Sequence, residues 1–131
     1  MLTSVWRPLI DAVVDWPLAL CDGTKVSKSD LIECDNIRKH YTGSTMYVLY
    51  NERMEWYYLS RQSQSTATLF KIFDSMSDAA CTSKQASEPR QSSANHRAQA
   101  VPHSGFEVPD IPPGTEPRRS IEVRAMVFTP E

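Results

Sequence analysis

The run RRSIEVRAMVF, Arg118 to Phe128, alternates with a period of two: Ile121, Val123, Ala125 and Val127 fall on one side, Arg118, Ser120, Glu122 and Arg124 on the other. A helix would scatter both sets around its circumference, whereas a strand turns successive side chains to opposite faces. The run therefore reads as a strand with one apolar and one polar face. The wall of a ligand-holding β-barrel or jelly roll needs such a strand; a solvated outer face gives the same pattern, and the residues alone leave both open.

The rest of the chain supports a mainly β fold. TSVWRP (Thr3 to Pro8) and DWPLALC (Asp15 to Cys21) are short β-prone runs, the second stopped by the Asp22-Gly23 turn signal. TMYVLYN (Thr45 to Asn51) and EWYYLS (Glu55 to Ser60) are aromatic and β-branched, and the link between them has hairpin length. ATLFKIFDS (Ala67 to Ser75) reads as a buried strand, and Ser27 to Asp35 as loop with one helical turn. Ser75 to Val101 carries six serines and three glutamines, with Met76 and Val101 its only large apolar residues. It buries too little to offset its ordering entropy and reads as a disordered loop or flexible insertion. The proline-rich Pro102 to Pro117 should run extended along the surface. The expected organisation is one β domain, built from residues 1–74 and 102–131 and interrupted by 75–101. Its six candidate strands fall short of the ~8 of a complete jelly roll.

Charge and cysteine usage remove several function classes. Fourteen Lys and Arg against sixteen Asp and Glu give a net charge of -2, so no basic footprint for nucleic acid or an anionic membrane exists. No apolar run approaches the ~18 residues of a membrane span, and Asp11 and Asp15 interrupt any leader-like stretch, so the chain reads as cytoplasmic. Cys21, Cys34 and Cys81 form no CxxC pair and read as reduced thiols, Cys21 as a small buried hydrophobe. Trp56, Tyr57 and Tyr58 could stack a ligand, but aromatics in a strand more often serve as core or cross-strand partners. His40 reads as a surface turn.

SVWRPL, DWPLALCD, Met46 to Tyr58 with WYYLS, LFKIFDS, PHSGF and above all EPRRSIEVRAMVF closely resemble the second half of the fungal asaB-type hydroxylase/desaturase family. The resemblance covers nearly the whole chain apart from the Ser-rich stretch. It implies an oxidoreductase of fungal secondary-metabolite biosynthesis acting on a small molecule, of the Fe(II) and 2-oxoglutarate type, on a double-stranded β-helix. That chemistry holds Fe(II) with two histidines and one carboxylate, and an arginine pairs with the far carboxylate of the co-substrate. By resemblance His103 of PHSGF is the metal ligand, Arg118 with Ser120 the co-substrate anchor, and Arg124 a second cation for that role. On residue type alone His103 reads as an ordinary loop histidine, and the resemblance brings the ligand reading level with it.

The sequence also departs from the family. An HxD pair, which in relatives lies before the block resembling SVWRPL, does not occur: His40 is followed by Tyr41 and Thr42, His96 by Arg97 and Ala98. Val108, Glu116, Arg119 and Ser65-Thr66 are smaller departures. The expectation is a truncated, catalytically incomplete jelly roll with no catalytic residue assigned, which does not itself bind Fe(II) and 2-oxoglutarate. The alternative is a non-catalytic paralogue or interaction module. Unpaired edges at Met46 to Tyr50, Trp56 to Leu59 and Leu69 to Phe73 are expected to drive self-association.

Overall fold

The structure, a computed structural model, describes residues 1–74 and 100–128. Eight strands follow one another: β1 (Leu2–Pro8), β2 (Leu18–Cys21), β3 (Leu31–Arg38), β4 (Tyr41–Val48), β5 (Trp56–Tyr58), β6 (Thr68–Phe73), β7 (His103–Gly105) and β8 (Ser120–Met126). They form two three-stranded antiparallel sheets, β6-β1-β8 and β5-β2-β7, and a two-stranded ribbon, β3-β4. This is the mainly β, partial jelly-roll architecture read from the sequence. No helix among the described residues is long and apolar enough to cross a membrane.

β1 is the central strand of the first sheet, and its alternation decides which face is inside. Ser4, Trp6 and Pro8 are buried while Arg7 is exposed. Opposed residues of an antiparallel pair share a face. Phe70 pairs with Ser4 on one flank, while Arg124, Glu122 and Ser120 pair with Ser4, Trp6 and Pro8 on the other. The polar face of Arg118–Phe128 is therefore the inner one. Ile121 and Val123 look outward and stay about half exposed, at 50% and 56%.

The second sheet closes over this face through Leu18 and Leu20. Both pack against a core of Trp6, Ile10, Val13 and Phe70, joined by Ile72 and Val101. Backbone bonds staple the layers: Val101 N–H donates to Lys71 O at 2.8 Å, Cys21 N–H to Pro102 O at 2.8 Å. The loop carrying Val13 is braced by Gln62, whose carbonyl accepts from Val13 N–H at 3.0 Å. The buried Gln62 amide donates to Thr66 O at 2.9 Å and Thr68 Oγ1 at 3.0 Å, so no donor is left stranded.

Three expectations meet a different outcome. The segment read as loop forms β3 from Leu31 onward, after a 3-10 turn at Lys28–Asp30. Its partner is β4, joined through Lys39 and His40 with Arg38 opposite Tyr41, so Thr45–Asn51 does not form a hairpin with Glu55–Ser60. The connection between those runs does turn, with Met54 N–H on Asn51 O at 3.0 Å and Arg53 N–H on Asn51 Oδ1 at 2.9 Å. It delivers the chain to β2, where Trp56 faces Cys21 and Tyr58 faces Ala19. Both faces of β3 are largely exposed, so no buried alternation marks it as strand against Glu33 and Asp35. Finally, β7 emerges inside the proline-rich stretch, held by pairing with β2. Of the expected insertion 75–101, residues 75–99 lie outside the described residues.

Candidate iron and co-substrate site

His103 opens β7 opposite Leu20, the residue that turns into the core. That register puts its imidazole on the inter-sheet side, against Phe70, with ring centroids 4.5 Å apart and planes at 51°. Nδ1 lies 3.0 Å from Val101 O. A carbonyl only accepts, so Nδ1 carries the proton and Nε2 keeps its lone pair, the tautomer a metal-binding histidine uses. The ring is nonetheless exposed at its edge.

Arg118 precedes β8 and reaches the same layer from the other sheet. Its Nη1 donates to Trp16 O at 2.5 Å, and its guanidinium carbon stands 5.8 Å from the centre of the Trp6 ring. Trp16 adopts a left-handed backbone, φ 47°, which is unusual for a bulky residue and turns its carbonyl toward the arginine. Arg119 behaves differently. It is exposed and pairs with Glu116, while its carbonyl takes Leu9 N–H at 2.8 Å.

Ser120 sits opposite Pro8 at the start of β8, half-buried. Arg124 is four residues further, about 13 Å along the strand, opposite the fully buried Ser4. Its Nε lies 3.6 Å from Glu122 Oε1, and that oxygen accepts from Ser4 Oγ at 2.5 Å. The structure thus brings His103 and Arg118 to two neighbouring core aromatics, Phe70 and Trp6, and places Arg124 in a separate Ser4–Glu122–Arg124 cluster. Glu122 was on the polar face by alternation, yet nothing in its spacing marked it as the partner of a buried serine 118 positions away.

Among the described residues, no group of three His, Cys, Asp or Glu side chains is placed to hold a metal ion. One imidazole with a free lone pair fits a single coordination position and does not make an iron site. Cys21 offers no substitute: burial and the neighbouring Asp22 carboxylate push its thiol pKa up, so it stays protonated. The aromatics of β5 are exposed, not core. Trp56 and Tyr58 line, with Ala19, Ser104, Gly105 and Phe106, a cleft of about 380 Å³. Ala19 and Ser104 oppose each other, so this cleft lies on the side of the second sheet away from His103.

Comparison with known proteins gives the family and the fold. The family described as an oxidoreductase/YMDC permease-like domain matches residues 1–128. The Fe(II)/2-oxoglutarate-dependent dioxygenase nvfI of Aspergillus novofumigatus is 35% identical over 127 residues, 95% of this chain and 39% of that protein. Hydroxylase/desaturase asaB of Aspergillus flavus is 26% identical over 97% of this chain and 54% of its own length. The solved iron and alpha-ketoglutarate-dependent endoperoxidase NvfI superposes with a TM-score of 0.73 at 30% identity, covering 94% of this chain and 40% of that one. The chain thus spans about two fifths to one half of the proteins it matches. It belongs to the oxidoreductase/YMDC permease-like domain family.

Proposed function

We propose that this chain forms the His103- and arginine-bearing wall of an Fe(II)/2-oxoglutarate oxidoreductase of fungal secondary metabolism, acting on a small molecule. The observation that carries the reading is that His103 stands against Phe70 and Arg118 against Trp6, two members of one core cluster, the first with Nδ1 taken up by Val101 O and the second with donors left over after Trp16. In this reading His103 supplies one metal ligand and Arg118, with Ser120 beside it, takes the far carboxylate of 2-oxoglutarate through its remaining N–H groups. Bound iron would supply dioxygen activation, with His103 filling one of its coordination positions. Arg124, paired with Glu122, is the reserve cation on the same face.

The test is a chimaera in which this chain replaces the segment it matches in nvfI. It should release succinate from 2-oxoglutarate in the presence of Fe(II), and His103→Ala should abolish that release. Undiminished succinate formation by the His103→Ala chimaera would remove the histidine from the site. The 131-residue chain alone should release none, because one ligand does not hold the metal. The second reading, a non-catalytic binding module, is favoured by the lack of a three-ligand cluster among the described residues. A chimaera that folds but releases no succinate would support that alternative.

A further inference from the structure

Gly105 has no conformational need to be glycine. Gly114, with φ 83°, is the one described glycine in the left-handed region, so Gly105 occupies backbone space that any residue adopts. Its lack of a side chain has another consequence. A Cβ at 105 would stand 3.2 Å from Arg118 Nη1, 3.6 Å from Nη2 and 3.7 Å from Trp16 Cε3. The guanidinium therefore fills the space a side chain would take. On its other flanks it meets Trp16 O at 2.5 Å and the Trp6 ring at 5.8 Å. The Trp16 carbonyl is aimed there by a backbone conformation that is costly for tryptophan, the kind of local strain that surrounding structure must hold in place.

We propose that Gly105 and Trp16 are positioning residues that hold the Arg118 guanidinium in one orientation, with its free edge offered to the far carboxylate of a dicarboxylate co-substrate. The inference rests on the role given to Arg118 above. A bidentate carboxylate pair depends on the angle of the planar fork, so a displacement of a few tenths of an ångström weakens it without removing the charge. The group that must yield to a new Cβ is the far end of a flexible side chain, so the fold tolerates Gly105→Ala while the orientation does not.

The experiment uses the nvfI chimaera carrying this chain, labelled with 15N-arginine, with 2-oxoglutarate as the probe. The Arg118 Nε–H signal should shift saturably, and 2-oxobutyrate, which lacks the far carboxylate, should leave it in place. Gly105→Ala should raise the Kd for 2-oxoglutarate at least fivefold and Gly105→Val further, both with an unchanged far-UV spectrum. Without ligand, rotation of the Arg118 guanidinium should be slow in the unsubstituted chain and faster in Gly105→Ala, a change that a merely structural glycine would not produce. An Arg118 signal that 2-oxoglutarate does not move in the unsubstituted chain overturns the co-substrate role and this inference with it. A shift of equal affinity in Gly105→Ala, or equal rotation rates, overturns the positioning inference alone.

Discussion

The β6-β1-β8 sheet and the β3-β4 ribbon are both antiparallel, and they are held in register by different means. The sheet has a buried face: Ser4, Trp6 and Phe70 are 0%, 4% and 5% exposed. A one-residue slip of β1 would turn Ser4 and Trp6 outward and away from Phe70 on β6, so burial itself fixes the pairing. The ribbon has no such face, and Ile37, on its distal half, is 72% exposed. Its register depends on the tight Lys39-His40 connection and on its base. There Leu49 N–H donates to Asp30 O at 2.7 Å, and Asn51 Nδ2 donates to Asp30 Oδ1 at 3.1 Å. At the tip the Tyr41 ring lies where a Cβ on Gly43 would be, so glycine there lets the aromatic cover the bare backbone. One element is specified by what it hides, the other by local hydrogen bonds.

The largest effect should come from the hidden side. Trp6→Ala removes the ring that packs with Ile10, Val13 and Phe70, and should cost roughly 3–5 kcal/mol. Ile37→Ala should stay within about 0.5 kcal/mol. Urea midpoints measured on both variants decide the matter. Similar losses would mean that the ribbon is covered in solution and that the contrast between the two regions is false.

The next effect separates two adjacent arginines just before β8. Arg118→Leu in the nvfI chimaera should raise the KM for 2-oxoglutarate at least tenfold, since a charge-assisted pair contributes about 1.5–3 kcal/mol. Arg119→Leu should leave it within twofold, because Arg119 is exposed and engaged with Glu116. Equal changes would break the inward and outward assignment.

These two predictions mark what the residues alone disclose. The two faces of β8 were legible because period-2 alternation needs no tertiary information; Leu69 to Phe73 was legible as strand but not as buried, since β6 is an edge strand in which Phe70 is buried while Leu69 and Phe73 are exposed. The ribbon was not legible. Glu33, Asp35, Asn36 and Arg38 give β3 a polar composition, and a strand exposed on both faces carries no burial signature. Tyr47 and Tyr57 sat in runs that looked like natural partners, yet the chain pairs each with an earlier segment, at Ile32 and Leu20. At the site, the family resemblance pointed to His103, Arg118, Ser120 and Arg124, but two of the contacts around them are non-local: Trp16 O on Arg118 and Ser4 on Glu122 join residues 102 and 118 positions apart, which spacing does not encode.

A third prediction concerns edges. The runs Met46–Tyr50, Trp56–Leu59 and Leu69–Phe73 each include an edge strand among the described residues: β4, β5 and β6. On the outer face of the first sheet, Leu69, Val5 and Val123 form a row, with Leu69 65% exposed. Light scattering across a concentration series should show self-association of the 131-residue chain, and Leu69→Lys should shift it toward monomer by placing a charge on the edge. A monomer at all concentrations would show that these edges are already protected.

The smallest effect should be confined to the base of the ribbon and should follow pH. The Ser27 hydroxyl and backbone N–H donate to Asp30 Oδ2 at 2.7 and 2.8 Å, and Asn51 adds a bond to Oδ1. These bonds to the charged form, those from Ser27 first, hold the Asp30 pKa down to about 2. An aspartate in an unfolded chain titrates near 3.9. The folded value is the lower one, so the ionised carboxylate stabilises the native base above about pH 4, and that contribution fades as pH falls from there to about 2. Amide exchange at Leu49 and Met54 should therefore accelerate across that window while the amides of β1, set by burial and not by a carboxylate, respond less. In Asp30→Ala the Leu49 and Met54 amides should exchange fast at neutral pH and show no further step on acidification. If β1 and the ribbon base loosened together along one curve, the two regions would be a single cooperative unit, and the distinction between burial and local bonding would describe the structure but not its stability.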